Sequence, residues 1–341
     1  MRSAIKVVVT DYIEPELLWE TREAERLGLH FEAHQLSCAS EAELANVTSD
    51  ADVVIVNMAP VTASLVRTWR NCKLVIRHGV GYDNVDMEAL TDRGIRFSNI
   101  PDYCIQEVAE QAIALIFNLV RKVSWSRSVL DASSKTGLWD FAPVKPIHRL
   151  QSQTIGIIGL GRIGSAVYRG LSAFGSKCLV CDPLLSPKRA AELNIHLLPF
   201  EDVLRQADLI TLHAPLNAQT RNFMNESSLA LMKSSAYLVN TARAGLVDQT
   251  ALYEALREKR LAGAALDVFE TEPPRPADPL FTLDNVILTP HLSWYSVEAD
   301  EEIRRKIFDQ VLRYREGLDP LNWLNEAELR SRVSVGSGVS R

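Results

Sequence analysis

One hexapeptide limits what this chain can fold into more than any other feature: Gly159-Leu160-Gly161-Arg162-Ile163-Gly164. It follows an apolar run, Ile155-Gly156-Ile157-Ile158, that reads as a strand, and it opens a run, Arg162–Phe174, that reads as a helix. Gly159 permits a tight turn, Gly161 lets the backbone approach a pyrophosphate, and Gly164 lets the helix pack close to its strand. The helix N-terminus then offers free N–H groups and the positive end of its dipole to phosphates. Asp182 stands at the end of the next strand, Lys177–Cys181, where a carboxylate binds adenine-ribose hydroxyls and repels a 2′-phosphate. The expected cofactor is NAD, with NADP disfavoured. Lys188 and Arg189 argue for NADP, but Pro183 occupies the place where an arginine would have made that case. A glycine-rich turn with Asp182 merely capping its strand is the alternative reading.

The rest of the chain extends the same alternation. Ile5–Thr10, Ala51–Asn57, Lys73–Arg77 and Ile95–Ser98 read as strands. Pro15–Leu27, stopped by Gly28, and Asp86–Thr91 read as helices. A long amphipathic run, Glu107–Val120, follows Pro101. Trp125–Leu150 reads as an irregular excursion, broken by Gly137, Pro143 and Pro146. Beyond the glycine loop, Ala207–Leu212, Ala236–Asn240, Ala264–Val268 and Val286–Leu288 are strand candidates, and Val297–Tyr314 is a closing helix. Strands alternating with helices predict parallel sheets covered on both faces.

At 341 residues the chain has room for about two domains of ordinary size. A formal charge of −6 and the lack of a long basic stripe speak against nucleic acid as a partner. No stretch reaches the ~18 apolar residues of a membrane span, and the start carries no secretory pattern, so a cytoplasmic location is the expectation. The five cysteines form no disulfide framework. Cys178 and Cys181 make a C-x-x-C on a strand, where side chains three apart point to opposite faces and cannot share a ligand. His30 and His34 are four apart without the pattern of a zinc-binding helix, and no metal site is expected.

Three segments carry the chemistry: Asn240–Asp248 with Arg243, Ala265–Pro273 with Glu272, and Thr289–Tyr295 with His291. Each puts a titratable or charged residue just beyond an apolar strand, where doubly wound folds bind ligands. Reducing a 2-oxo acid needs a hydride at C2 and a proton on the carbonyl oxygen. A histidine suits the proton transfer, and a carboxylate on its other nitrogen fixes the tautomer. An arginine binds the substrate carboxylate bidentately and polarises the carbonyl. Singly, these residues also read as a surface cation, a solvated carboxylate before Pro273, Pro274 and Pro276, and a strand-end histidine. Behind a dinucleotide fingerprint they read as a set.

From Lys73 to about Tyr314 the chain resembles the D-isomer-specific 2-hydroxyacid dehydrogenases. The resemblance rests on Gly159–Gly164 with Asp182, on Leu212-His213-Ala214-Pro215-Leu216, on Asn240–Asp248 and Ala265–Pro273, and on Pro290-His291. Where the family usually has Arg-Gly-Gly, this chain has Arg243-Ala244-Gly245. The resemblance implies that Arg243 binds and polarises substrate, that His291 is the acid/base, and that Glu272 is its partner. It implies cofactor contacts from Gly159, Gly161, Arg162, Ile163, Gly164, Asp182, His213, Pro215, Thr241 and Ala242, with Asp267 on the nicotinamide carboxamide. Val80 and Gly81 would offer backbone N–H groups to the substrate carboxylate. Within the family, His291-Leu292-Ser293-Trp294-Tyr295-Ser296 is similar to the His-x-x-Trp-Tyr-Ser of the C-terminal-binding protein branch. Animal members of that branch are NAD-binding corepressors, so a cofactor-sensing scaffold is a rival reading. The other rivals are 3-phosphoglycerate dehydrogenase and glyoxylate/hydroxypyruvate reductase. Arg77 and His78, before the Gly79–Gly81 loop, would serve a phosphorylated substrate. Trp294 reads as a pocket wall favouring an apolar or thioether-bearing 2-oxo acid, or else as a core or dimer-contact aromatic.

The expected architecture is two doubly wound parallel-sheet α/β domains. A Rossmann NAD-binding domain (residues 102–299) is inserted in a flavodoxin-like substrate domain (residues 1–101 and 300–328). The connections near Asn99–Asp102 and His291–Glu298 would form a hinge. Residues 329–341, Ser-, Gly- and Arg-rich without period, are expected to be a mobile tail. Glu107–Val120 and Trp125–Leu150 resemble the family's dimer-forming part, so a homodimer is expected.

Overall fold

The structure, a computed structural model, describes residues 4–336, with side chains described to residue 332. The chain forms two compact units, one running up to Tyr103 and resuming at Val297, the other spanning Cys104–Ser296. The first opens with β1 (Lys6–Val9), α1 (Leu18–Leu27), β2 (His30–Ala33), α2 (Glu41–Thr48), β3 (Val53–Val56), α3 (Ala63–Thr68), β4 (Leu74–Arg77), α4 (Met87–Asp92) and β5 (Arg96–Asn99). Its sheet is parallel with order β2-β1-β3-β4-β5, the flavodoxin-like order. The central strands are buried on both faces, which is why β3 and β4 read as unbroken apolar runs rather than alternating ones. Local chemistry sets the helix ends. Gly28 closes α1 at φ 64°, Asp86 caps α4, and Ser40 with Glu43 forms a reciprocal capping box on α2.

The second unit holds α5 (Ile105–Arg121), α6 (Val123–Thr136), β6 (Thr154–Ile158), α7 (Arg162–Ala173), β7 (Lys177–Cys181), α8 (Pro187–Glu192), α9 (Phe200–Gln206), β8 (Leu209–Leu212), α10 (Glu226–Leu229), β9 (Tyr237–Asn240), α11 (Gln249–Arg257), β10 (Gly263–Leu266) and β11 (Val286–Leu288). All strands run parallel in the order β11-β10-β9-β8-β6-β7. A parallel bridge from Val180 to Leu197 adds one more short segment beside β7. This completes the dinucleotide-binding order, which reverses between β6 and β8. One face packs Ile155, Ile157, Val180 and Val239 against α5 and α7; the other packs Ile158, Ile210, Leu238 and Leu266. Cys178 and Cys181 fall on these opposite faces.

The chain then re-enters the first unit with α12 (Val297–Arg315), which buries Ile303, Ile307, Phe308 and Val311, and α13 (Glu326–Gly336). Asn325, fully buried, pins this end to the sheet. Its Oδ1 accepts from Phe97 N at 2.9 Å, and its Nδ2 donates to Ile95 O at 3.0 Å.

Two expectations need correction. The stretch expected as an irregular excursion begins with a 14-residue helix, α6, and its prolines come only afterwards, Pro143 within a short 3₁₀ turn. That helix buries no side chain fully; only half-buried residues such as Trp125 reach the core, and polar residues interrupt its apolar positions. The expected tail is helical through Gly336, and residues 337–341 lie outside those described.

Candidate active site

The site is built at the carboxyl ends of the second unit's strands. β6 ends in Gly159, whose φ of 91° suits glycine, and a Cβ there would meet the backbone of His213 and Ala214 at 2.8 Å. A Cβ at Gly164 would meet the Gly159 carbonyl oxygen at 2.1 Å, so only glycine lets α7 start this close to its strand. At Gly161, unlike Gly159 and Gly164, a Cβ would find open space. Arg162 is exposed on the first turn of α7, while Ile163 packs into the core beneath it.

Asp182 follows β7 and braces this loop. Its Oδ2 accepts from Leu160 N at 2.7 Å and its Oδ1 from Leu184 N at 2.9 Å. Both bonds fix the carboxylate beside the glycine turn. After β8 comes His213, whose Nε2 lies 3.0 Å from Thr211 Oγ1. Burial pushes its pKa down to about 4, so the ring is neutral near pH 7. Pro215 is exposed, its carbonyl accepting from Thr220 Oγ1 at 2.6 Å.

The catalytic candidates follow three adjacent strands, β9, β10 and β11. Beyond β9, the buried Asn240 shapes the turn. Its Oδ1 accepts from Ala242 N at 3.0 Å and its Nδ2 donates to Arg243 O at 2.9 Å, which presents Arg243 half-buried at the rim. Between them, Thr241 is 7% exposed and its hydroxyl has no protein partner. Beyond β10, Asp267 is 0% exposed. Its carboxylate accepts from the Thr289 hydroxyl, from Leu292 N at 3.2 Å and from Ser293 N at 2.9 Å. These three bonds tie Asp267 to the loop that carries His291.

Beyond β11, His291 adopts φ 50°, and its Nδ1 lies 2.6 Å from Glu272 Oε2. The other Glu272 oxygen accepts from Phe269 N at 3.0 Å. Burial of Glu272 works against its charge. The hydrogen bond and charge of His291, the Phe269 amide and the positive charge of Arg243 prevail, and they hold its carboxyl below the usual range. An ionised Glu272 on Nδ1 leaves Nε2 as the nitrogen that exchanges protons with a ligand.

Arg243, Glu272 and His291 are therefore brought together within this unit. Trp294, partly buried, packs edge-on against Tyr295 with ring centroids 5.4 Å apart. Val80 and Gly81 belong to the first unit, in the loop after β4. Gly79, at φ 145°, opens that loop, and Val80 O accepts from Asn99 Nδ2 at 2.5 Å. Sequence reasoning missed Asn240 and Thr289 as supports of Arg243 and His291. Their only signal is a polar residue at the end of an apolar strand.

The site residues fit a dinucleotide: a glycine turn open at Gly161, a fixed carboxylate at Asp182 and an orphaned buried hydroxyl at Thr241. The comparisons agree. A family model, D-isomer specific 2-hydroxyacid dehydrogenase, NAD binding domain, matches residues 113–293. The chain is 37% identical over 315 residues to the D-3-phosphoglycerate dehydrogenase of Methanocaldococcus jannaschii, covering 92% of this chain but only 58% of that protein. It is 36% identical over 276 residues to the glyoxylate reductase of Korarchaeum cryptofilum, covering 80% of this chain and 82% of that one. Among solved structures it is similar to a D-lactate dehydrogenase from Aquifex aeolicus complexed with NAD and lactic acid (TM-score 0.81, 29% identity, 91% of this chain and 96% of that one). It is also similar to an NADPH-dependent glyoxylate/hydroxypyruvate reductase from Sinorhizobium meliloti in complex with NADP and malonate (TM-score 0.82, 29% identity, 96% and 98% of the two chains).

Proposed function

The chain belongs to the D-isomer-specific 2-hydroxyacid dehydrogenase family, and from that premise we propose that it interconverts a 2-oxo acid and a D-2-hydroxy acid with NAD as cofactor. The observation that carries this reading is the 2.6 Å contact of His291 Nδ1 with Glu272, on a loop that the buried Asp267 anchors. NAD, when bound, supplies or takes up the hydride. The chain's own residues do the rest. The Arg243 guanidinium binds the substrate carboxylate and polarises its carbonyl. His291, protonated on Nε2, gives its proton to the carbonyl oxygen during reduction and takes it back during oxidation. Glu272 holds the tautomer and offsets the imidazolium charge. Gly159, Gly161, Arg162, Ile163 and Gly164 hold the pyrophosphate, and Asp182 selects NAD by repelling a 2′-phosphate. Thr241, Ala242, His213 and Pro215 line the same cofactor. Val80 and Gly81 bind the substrate carboxylate through backbone N–H groups, and Trp294 sets the size of the acid. The names of the relatives put 3-phosphohydroxypyruvate and glyoxylate among the substrates to try.

The reading includes a cytoplasmic homodimer. The exposed apolar side chains beyond α6, Leu138 (68%), Trp139 (83%) and Phe141 (56%), support a second copy as partner. Sedimentation giving only particles of about 38 kDa would refute the dimer.

The test is oxidation of NADH and NADPH against a panel of 2-oxo acids. The panel runs from glyoxylate, hydroxypyruvate and its 3-phosphate to phenylpyruvate and 4-methylthio-2-oxobutanoate. Turnover with NADH that fails in His291→Ala supports the dehydrogenase. Tight NADH binding with no turnover on any acid would replace it with the cofactor-sensing scaffold.

A further inference from the structure

His291 holds a backbone angle, φ 50°, that residues with a Cβ seldom adopt. Such a conformation costs energy and persists only where the surroundings fix it. The segment that carries it, residues 289–296, is held at both ends, and all of its anchors lie within the second unit. Asp267 takes the first part, through the Thr289 hydroxyl and the amides of Leu292 and Ser293. The last residue, Ser296, donates from Oγ to Glu107 Oε1 at 2.9 Å, although the two stand 189 residues apart in sequence. Glu107 lies in the first turn of α5, whose Ala109, Ala112 and Ile116 share one core with Val239 of β9 and Ala265 of β10. The helix that bears Glu107 therefore rests on the strands that lead to Arg243 and Asp267. Both anchors of the His291 segment are built on packed elements, which hold a site more precisely than loops do.

Resting on the reading of His291 as the acid/base, we propose that Glu107, acting through Ser296, is a positioning residue for His291. Glu272 orients the His291 ring from Nδ1, and Asp267 sets the backbone next to it. The Ser296 bond sets the far end of the segment. Without that bond the far end shifts, and the strain at His291 relaxes by moving the ring from the place where Nε2 meets the substrate carbonyl. Glu107 needs no contact with substrate or cofactor for this. The step it serves is proton transfer, so its effect falls on the chemical rate and not on cofactor affinity. A carboxylate in a first helical turn also favours its helix by charge alone. Glutamine in its place separates the two roles, because it keeps an acceptor oxygen and gives up the charge.

The test is the single-turnover rate of NADH oxidation with the best 2-oxo acid of the panel, beside KM for that acid and NADH affinity by titration calorimetry. Wild type is compared with Glu107→Ala, Glu107→Gln, Ser296→Ala, Ser296→Thr and the control Glu110→Ala, an exposed glutamate of the same helix. Melting curves are taken first, and the assays run well below the lowest Tm of the set. Glu107→Ala and Ser296→Ala are expected to slow the single turnover about tenfold, with KM changed by no more than about twofold and NADH affinity unchanged. The two together are expected to be no slower than either alone, since both break one bond. Glu107→Gln and Ser296→Thr, which keep the acceptor and the hydroxyl, are expected to restore most of the rate, and Glu110→Ala to match wild type. In a His291→Ala background, Glu107→Ala is expected to bring no further loss. A Glu107→Ala rate equal to wild type overturns the proposal. So does a Gln variant as slow as the Ala one, which assigns the effect to charge, or a further loss of equal size in the His291→Ala background, which assigns it to the fold. A wild type that turns over no acid refutes the acid/base reading itself, and this proposal with it.

Discussion

The two units use the same sheet logic and treat the polar groups at their strand ends in opposite ways. In the first unit, Asp11 beyond β1 is 2% exposed, and its carboxylate accepts from the Thr10 hydroxyl at 2.7 Å, Asn57 N at 3.1 Å and Met58 N at 2.5 Å. Nearby, Arg77 donates to Asn57 Oδ1 at 3.2 Å. Acceptors and donors close on one another, and the cluster ties the turn after β3 to that after β1. In the second unit, the buried carboxylate Asp267 does the same for its own turns, but it holds up a half-exposed layer: His291 paired to Glu272, with Arg243 close enough to act on Glu272 by charge. A closed polar cluster is scaffold, and a supported but open one is chemistry. The glycine turns differ in the same sense. Gly159–Gly164 leads straight into the 12-residue helix α7, which aims free N–H groups at a ligand. Gly79 leads into a loop, and the next helix, α4, has only 6 residues.

The sharpest way to break this contrast is to remove one open group and one closed group. His291→Ala should lower kcat/KM for the best 2-oxo acid by about 10³–10⁴, the scale of a lost general acid, with the urea unfolding midpoint unchanged. Asp11→Ala should do the reverse. It strands buried amides of the first unit and should cost about 3 kcal/mol of stability in urea unfolding. A His291 variant that unfolds early, or an Asp11 variant as stable as wild type, would dissolve the distinction.

Much of this was legible in sequence because the physics is local. The glycine loop announces itself, since each glycine answers a steric demand within a few residues. Strands β7 and β11 could be bounded to the residue because apolar runs end abruptly at Asp182 and Thr289. Helix α2 was not among the expected elements, although the structure shows a capping box of Ser40 and Glu43 at its start. Helix α6 was not read, because its half-buried face mixes Trp125 and Val129 with Ser126 and Ser133. Asp267 is the instructive case. Its position after a strand was visible, but whether its carboxylate faces a ligand or the inside of the fold depends on Thr289, Leu292 and Ser293, which lie more than twenty residues away. Tertiary hydrogen bonds of that kind leave no local pattern.

The smallest expected effect tests whether burial, the property the two units share, also acts alike in both. His78 in the first unit and His213 in the second each have a pKa pushed down to about 4, His78 by burial and then by the charge of Arg77, His213 by burial. In the unfolded chain each would titrate near 6.5. Above that pH both states are neutral and the burial costs nothing. As the pH falls from about 6.5 to about 4, the unfolded chain takes up protons that the folded chain refuses. Stability is therefore lost across that window and levels off below it. Tm measured from pH 7 to pH 4 should fall, and His213→Asn and His78→Asn should each flatten the slope, by about 1 kcal/mol over the window. His78 has a counterweight that His213 lacks among the described residues: its Nε2 lies 3.6 Å from Glu14 Oε1, which would welcome the proton. With both folded values near 4, the two variants should flatten the curve alike. A smaller effect of His78→Asn would mean that the Glu14 carboxylate lifts the His78 pKa above that of His213.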